Sequence, residues 1–242
     1  MPKSKRARLV HTSTVQKKPS KEKSASLFAA VQEAAGAYRH IFVFSVENMR
    51  NTYLKEVRQH FASDGRLFFG KTKVMAKALG LKEEDEHAPG LSKLSKYLAG
   101  NVGLLLTNWE PKEVLDYFRD YVEVDFARAG VRASRTFTVP AGVVYSRAGE
   151  LAVEDDVLLP HSLEVTVRKW GMPTRLDKGK VVLDQEYTIA EEGKEMNSSQ
   201  TALLKLFGVA MAEFKVQILA YWSAATQEVT EVEPEVEGMD EG

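Results

Sequence analysis

The sequence predicts an α/β fold, in which a layered α/β first domain is interrupted by a small β-rich inserted domain. Three observations support this. Apolar residues recur at helical spacing in segments that alternate with short β-branched or aromatic runs as far as about residue 123. From about residue 124 the texture changes to short strand-like runs broken by turn residues. Near the C-terminus an amphipathic helix followed by an alternating strand restores the first pattern.

Taken in order, SASLFAAVQEAAGAYRH places Leu27, Ala30, Val31, Ala34 and Tyr38 on one helical face, and HIFVFSV follows as a buried strand. MRNTYLKEVRQHFAS returns to helical period through Tyr53, Leu54, Val57 and Phe61. Gly65 then punctuates the chain before the short strand RLFF. KTKVMAKALG reads as a helix closed by Gly80. LKEEDEHAPG is a charged loop, LSKLSKYLAG a short helix and VGLLLTN a third strand; PKEVLDYFRDYV is a helix with Pro111 in its first turn. In the insertion, FTVPAGVVYS and KVVLDQEYTI read as strands, with the charged segment GELAVEDD between them. NSSQTALLKLFG is a helix capped by Asn197, Ser198 or Ser199, with Gly208 beyond its end; EFKVQILAYW alternates as a strand expected to complete the first domain's sheet.

Composition narrows the function classes. The 242 residues contain no cysteine, which removes disulfides, thiolate metal sites and Cys nucleophiles. No apolar run approaches a membrane span, and the N-terminal residues lack a signal-peptide core, so no membrane contact is expected. The net charge of -1 hides an asymmetry: residues 1–23 carry eight Lys or Arg against one acid, whereas residues 228–242 carry seven acids and no Lys or Arg. A basic arm of this kind serves as a nuclear address or a nucleic-acid contact, or is a solvated tail.

Gly65 to Thr72 reads GRLFFGKT and satisfies the phosphate-loop pattern letter for letter. The context is inverted, because a helix precedes Gly65 and the would-be loop is itself an apolar strand with bulky aromatics. An NTPase is therefore the weaker reading. The five histidines are scattered and suggest neither a metal site nor a triad, Glu154 to Asp156 read as a solvated turn, and no cofactor is expected. From Arg39 to Lys77, by contrast, eight Lys or Arg face three acids. Arg50, Asn51, Lys55 and Arg58 recur at helical spacing; Lys71, Thr72 and Lys73 sit at a strand-to-helix turn where free N–H groups and positive charge favour a phosphate. The two elements are expected to present one cationic face to nucleic acid.

GRLFFGKTKVMAKALG and AGNVGLLLTN resemble the ribosomal stalk-base protein family of the large subunit, the acidic phosphoprotein P-zero family. MPKSKR, FTVPAGVVYSRAGE, HSLEVTVRKWGMPTRLDKGKVVL and ALLKLFGVAMAEFKV extend the resemblance, over nearly the whole chain, to its ribosome-assembly members. The resemblance implies a non-enzymatic factor that binds large-subunit rRNA at the stalk base of pre-60S particles in the nucleolus and nucleus. It also implies neighbouring stalk-base ribosomal proteins and a releasing factor as partners, later replacement by the mature stalk-base protein, and a monomer off the ribosome. A stalk-base protein of mature ribosomes is the runner-up, disfavoured by the lack of apolar helices after EFKVQILAYW to recruit acidic stalk dimers.

The implied organisation is a basic disordered arm over 1–23, an rRNA-binding domain over 24–123 and 191–225, an inserted domain over 124–190 and an acidic tail over 226–242. By matching position, the RNA contacts fall on Arg50, Asn51, Lys55, Arg58, Gly70, Lys71, Thr72, Lys73 and Lys77, with Lys3, Lys5, Arg6 and Arg8 in the arm. Thr72 stands where the family motif commonly has Asn.

Overall fold

The computed structural model describes residues 20–233. The first domain begins with α1 (Ser20–Ala37), β1 (His40–Glu47), α2 (Asn51–His60), β2 (Gly65–Phe68) and α3 (Thr72–Leu79). It continues with α4 (Leu91–Ser95), β3 (Val102–Thr107), α5 (Pro111–Asp120) and β4 (Val122–Asp125). The insertion supplies β5 (Phe137–Val139), β6 (Gly142–Val143), α6 (Glu164–Lys169), β7 (Thr174–Asp177), β8 (Lys180–Leu183), β9 (Tyr187–Ala190) and α7 (Ser198–Leu206). The chain then returns through β10 (Ala212–Ser223) and β11 (Val229–Glu231).

The first domain's sheet is antiparallel throughout, in the order β11-β10-β1-β3-β2, with β4 also paired to β10. Successive side chains of a strand point to opposite faces, and here both faces are covered. Ile41 and Val43 face α1, α3 and α4, whereas Phe42 and Phe44 face α2 and α5. β10 changes sides at a bulge, where Val43 pairs with Ala220 and Phe44 with Ile218, leaving Leu219 as the extra residue. Phe214, Val216 and Ile218 therefore enter the α2/α5 layer, and Ala220 and Trp222 the α1/α3/α4 layer. Gly103 is obligatory at the centre: a Cβ there would lie 2.4 Å from Cζ of Phe44 and 2.8 Å from the Phe68 carbonyl oxygen.

The insertion has its own core of Phe137, Val139, Val144, Val167, Val181, Leu183 and Ile189, among others. A two-stranded pairing, β5-β9, and a three-stranded one, β6-β8-β7, surround it.

Five details differ from the sequence reading. Helix α1 starts at Ser20 rather than after residue 23, because Lys-Glu-Lys-Ser needs no apolar partner to continue a helix whose next turn is packed, and Glu22 suits the first turn. Helix α5 stops at Asp120 and the chain soon enters β4, since β10 offers an unpaired edge at Ala212–Lys215. The insertion, in which the sequence reading assigned only strands and turns before Asn197, includes helix α6, where Val167 is buried and Arg168 pairs with Glu164 one turn away. Helix α7 sends Leu203, Leu204 and Phe207 into the insertion's core, so the return to the first domain comes at Ala212 and not at 191. Finally, the start of the acidic tail forms β11, because Val229 and Val232 pack on the first domain's two layers. Of the three candidate caps, Asn197 closes α7 in a capping box with Gln200, each partner 2.9 Å from the other's backbone N–H.

Candidate nucleic-acid interface

The Gly-Lys-Thr segment takes its place from the edge strand. Gly65–Phe68 pairs with β3, with Leu67 and Phe68 buried, so the residues that would cradle a nucleotide's phosphates are spent on a sheet. A short turn, Phe69 to Lys71, then leads into the N-terminus of α3.

Helices α2 and α3 do not share a face. Leu54 and Val57 of α2 pack on one side of the sheet, and Met75, Ala76, Ala78 and Leu79 of α3 on the other. The expectation of one cationic face is thus corrected to one cationic end. Strands β1 and β2 are both antiparallel to β3 and hence run the same way. Helix α2 starts where β1 finishes and α3 starts where β2 finishes, so both N-termini lie at the same end of the sheet. Helix α1, which leads into the opposite end of β1, begins there too. The connection is direct: Nζ of Lys71 lies 3.3 Å from Oγ of Ser24, and a Cβ at Gly70 would lie 2.9 Å from Cδ2 of Leu27.

The electrostatics of this end favour an anion. Neither Arg50 before α2 nor Lys71 before α3 makes a side-chain cap bond, and neither helix has an acid in its first turn. Their first N–H groups and dipoles remain available to a phosphate. Lys71 and Lys73 are exposed, as is Asn51, and Thr72 is half-buried. Lys55 and Arg58 continue the exposed stripe along α2, ~6 and ~10 Å from Asn51, and Lys77 lies ~8 Å along α3 from Thr72. The expected residues therefore grade from the end of the sheet along its two flanks.

Arg50 is engaged within the fold. Its Nε lies 2.7 Å from Oδ2 of Asp125, its Nη2 donates to the Phe126 carbonyl, and its side chain is only 21% exposed. Two residues earlier, Nδ2 of Asn48 donates to the Glu213 carbonyl at 2.8 Å. The turn between β1 and α2 thus fastens the strand leaving for the insertion and the strand coming back. Spacing placed Arg50 with the RNA contacts because the sequence does not show that Asp125 folds next to it.

On the far side, Glu56 of α2 accepts a hydrogen bond from the Tyr121 hydroxyl at 2.9 Å; burial, reinforced by Glu56, pushes that phenol well above its ordinary pKa. Four further features lie at this end of the sheet that sequence reasoning did not place there. Lys21 and Lys23, assigned to the arm, lie on the first turns of α1 beside Ser24. Phe69 is 36% exposed, with its ring 6.3 Å from that of Phe44. The Gly100–Asn101 turn enters β3 at this end, and the motif AGNVG was its only signal. Lys3, Lys5, Arg6 and Arg8 lie outside the described residues. Among the described residues no cluster of His, Asp or Glu could hold a metal ion, and no helix is long and apolar enough to cross a membrane.

An antiparallel sheet with a cationic end and an insertion entering between β4 and β10 defines the class. Residues 19–123 match the ribosomal protein L10 family, and residues 127–209 match the insertion domain of the 60S ribosomal protein of that group. The chain is 52% identical to the ribosome assembly factor mrt4 of Neurospora crassa, over 96% of this chain and 94% of that protein. It is 51% identical to that of Schizosaccharomyces pombe, over 92% of each, and 40% identical to that of Saccharomyces cerevisiae, over 97% of this chain and 100% of that protein. The large ribosomal subunit protein uL10 of Neurospora crassa is 26% identical over 72% of this chain and 50% of its own length. The chain belongs to the family of the ribosome assembly factor mrt4, within the wider L10 group.

Proposed function

We propose that this protein is a non-enzymatic assembly factor of the large ribosomal subunit, which holds stalk-base rRNA in pre-60S particles until the mature stalk-base protein replaces it. The observation that carries the proposal is the 40–52% identity, over more than nine-tenths of the chain, to proteins named for ribosome assembly. The lower and shorter match to uL10 makes the mature stalk-base role the weaker reading. The sheet end supplies the chemistry. A-form RNA hides its bases in a deep major groove, so a folded RNA is held mainly through phosphates, 2′-OH groups and a few unstacked bases. Lys21, Lys23, Lys71 and Lys73 neutralise phosphates, the bare N–H groups of α2 and α3 donate to phosphate oxygens, and Phe69 offers a ring to a splayed base. Nucleolar and nuclear residence, stalk-base ribosomal proteins as neighbours and a releasing factor complete the reading.

The test is displacement on a stalk-base rRNA fragment, with precursor rRNA co-purification and imaging of the tagged protein in parallel. The mature stalk-base protein is expected to drive this one off the fragment. A stable ternary complex holding both proteins overturns the shared site.

A further inference from the structure

The insertion holds out an apolar, acidic arm on an ordered support, and we propose that this arm docks a protein segment that combines apolar side chains with Lys or Arg. Between Val144 and Leu159 the chain doubles back: the Ser146 N–H donates to the Val157 carbonyl at 2.7 Å and the Leu159 N–H to the Val144 carbonyl at 3.0 Å. The Asp156 carboxylate accepts the N–H groups of Arg147 and Val157, each at 2.8 Å. Val144, Ala148 and Leu159 are buried beneath. This well-tied segment nevertheless leaves Leu151, Val153, Val157 and Leu158 exposed by 48, 62, 71 and 40%. They are four of the ten large hydrophobic residues exposed among the described residues, gathered within eight positions. A groove of about 330 Å³, lined by Val139, Pro140, Val143, Leu151 and Val153 among others, runs beside them. Apolar side chains fixed in water by a folded support have already met the ordering cost that binding would otherwise carry, which is how a docking surface differs from a loose loop.

Charge selects the occupant. Glu150 is paired with Arg135 at 2.8 Å and Asp156 is tied to backbone, but Glu154 and Asp155 are exposed and make no ion pair among the described residues. Uncompensated carboxylates beside an apolar groove repel RNA phosphates and attract a cationic segment. The proposal rests on the pre-60S reading only for where that segment is met.

The test uses the full chain with a photo-reactive benzoylphenylalanine in place of Val157, bound to purified precursor particles, and a second chain labelled at Lys73. Position 157 is expected to cross-link to a protein peptide in which Lys or Arg alternates with apolar residues, identified by mass spectrometry. The yield is expected to fall about tenfold with Leu151→Ser and Val153→Ser together, and by a similar factor with Glu154→Lys and Asp155→Lys. Both double variants change exposed side chains, so an unchanged melting temperature confirms that the fold persists. Cross-links from position 157 to rRNA, to a second copy of this chain or to a peptide without basic residues overturn the proposal, as does silence at 157 while position 73 reaches rRNA. A chain that joins no particle removes the pre-60S reading and this proposal with it.

Discussion

The first domain and the insertion solve the same problem with different geometry, and the difference sorts their surfaces. The first domain closes both faces of one sheet with helices, so most of its apolar residues are consumed and the surface left for binding is an end: strand termini, helix N-termini, lysines and the ring of Phe69. The insertion wraps short strands and two helices around a single core, and six of the ten exposed large hydrophobic residues among those described lie on it. A sheet covered on both sides leaves backbone dipoles and charge for an RNA; a small core with much surface leaves apolar side chains for a protein.

The strongest way to break this comparison is to damage one core and watch the other. Phe207→Ala empties a fully buried site in the insertion and is expected to cost about 3 to 5 kcal/mol there. Hydrogen exchange at Val181 and Ile189 should accelerate while Leu105 stays protected; equal loss at Leu105 would show that the two cores unfold as one. The reciprocal change, Gly103→Ala, forces a methyl against the Phe44 ring and is expected to cost about 1 to 3 kcal/mol, read as reduced protection in β1 and β3 with the insertion spared.

Arg50→Ala separates fastening from binding. Removing the charge-assisted bonds to Asp125 and to the Phe126 carbonyl is expected to cost about 1 to 3 kcal/mol, and Asp125→Ala should remove much of the same coupling in a double-mutant cycle. The salt dependence of RNA binding should stay unchanged, and a flatter slope would return Arg50 to the RNA-binding set. Lys71→Ala and Lys73→Ala give the opposite pattern: an unchanged melting temperature, and a log K against log salt slope flattened by ~0.7 to 0.9 for each phosphate no longer neutralised.

The smallest expected effect lies at Glu86, remote from both surfaces. The Ser92 side chain, with the backbone N–H groups of Ser92 and Gly90 at 2.9 Å each, holds its carboxyl below the ordinary carboxylate range at the start of α4. A depressed folded-state pKa contributes stability above the unfolded value and loses it as the pH falls through the folded one. Glu86→Gln should therefore melt slightly below the parent at neutral pH and match it in acid; a constant difference across that range would assign the effect to packing.

The elements of the first domain could be read from the chain because each is written locally. HIFVFSV and VGLLLTN are too apolar for a surface, and Gly80 and Gly208 end their helices where no other residue would take a positive φ easily. Elements that exist only through a partner were hidden. Val122–Asp125 is a strand because β10 has a free edge there, and Val229–Glu231 because the valines at 229 and 232 find two prepared layers. Helix α7 has the same pattern whichever core it joins, so periodicity placed it in the wrong domain.

The candidate site divides in the same way. Composition and pattern alone determined that the chain is a cysteine-free α/β protein with a basic stretch near Lys71, and the inverted context around Gly65 already told against a nucleotide loop. Periodicity reports which side of an element is polar but not which side of the sheet that element will cover. Only the strand order placed α2 and α3 on opposite faces, gathered their N-termini and Lys21, Lys23, Phe69 and Asn101 at one end, and brought Asp125 to Arg50. Charge is a property of residues, whereas a binding surface depends on the distances between them, and those are set by how distant segments pair.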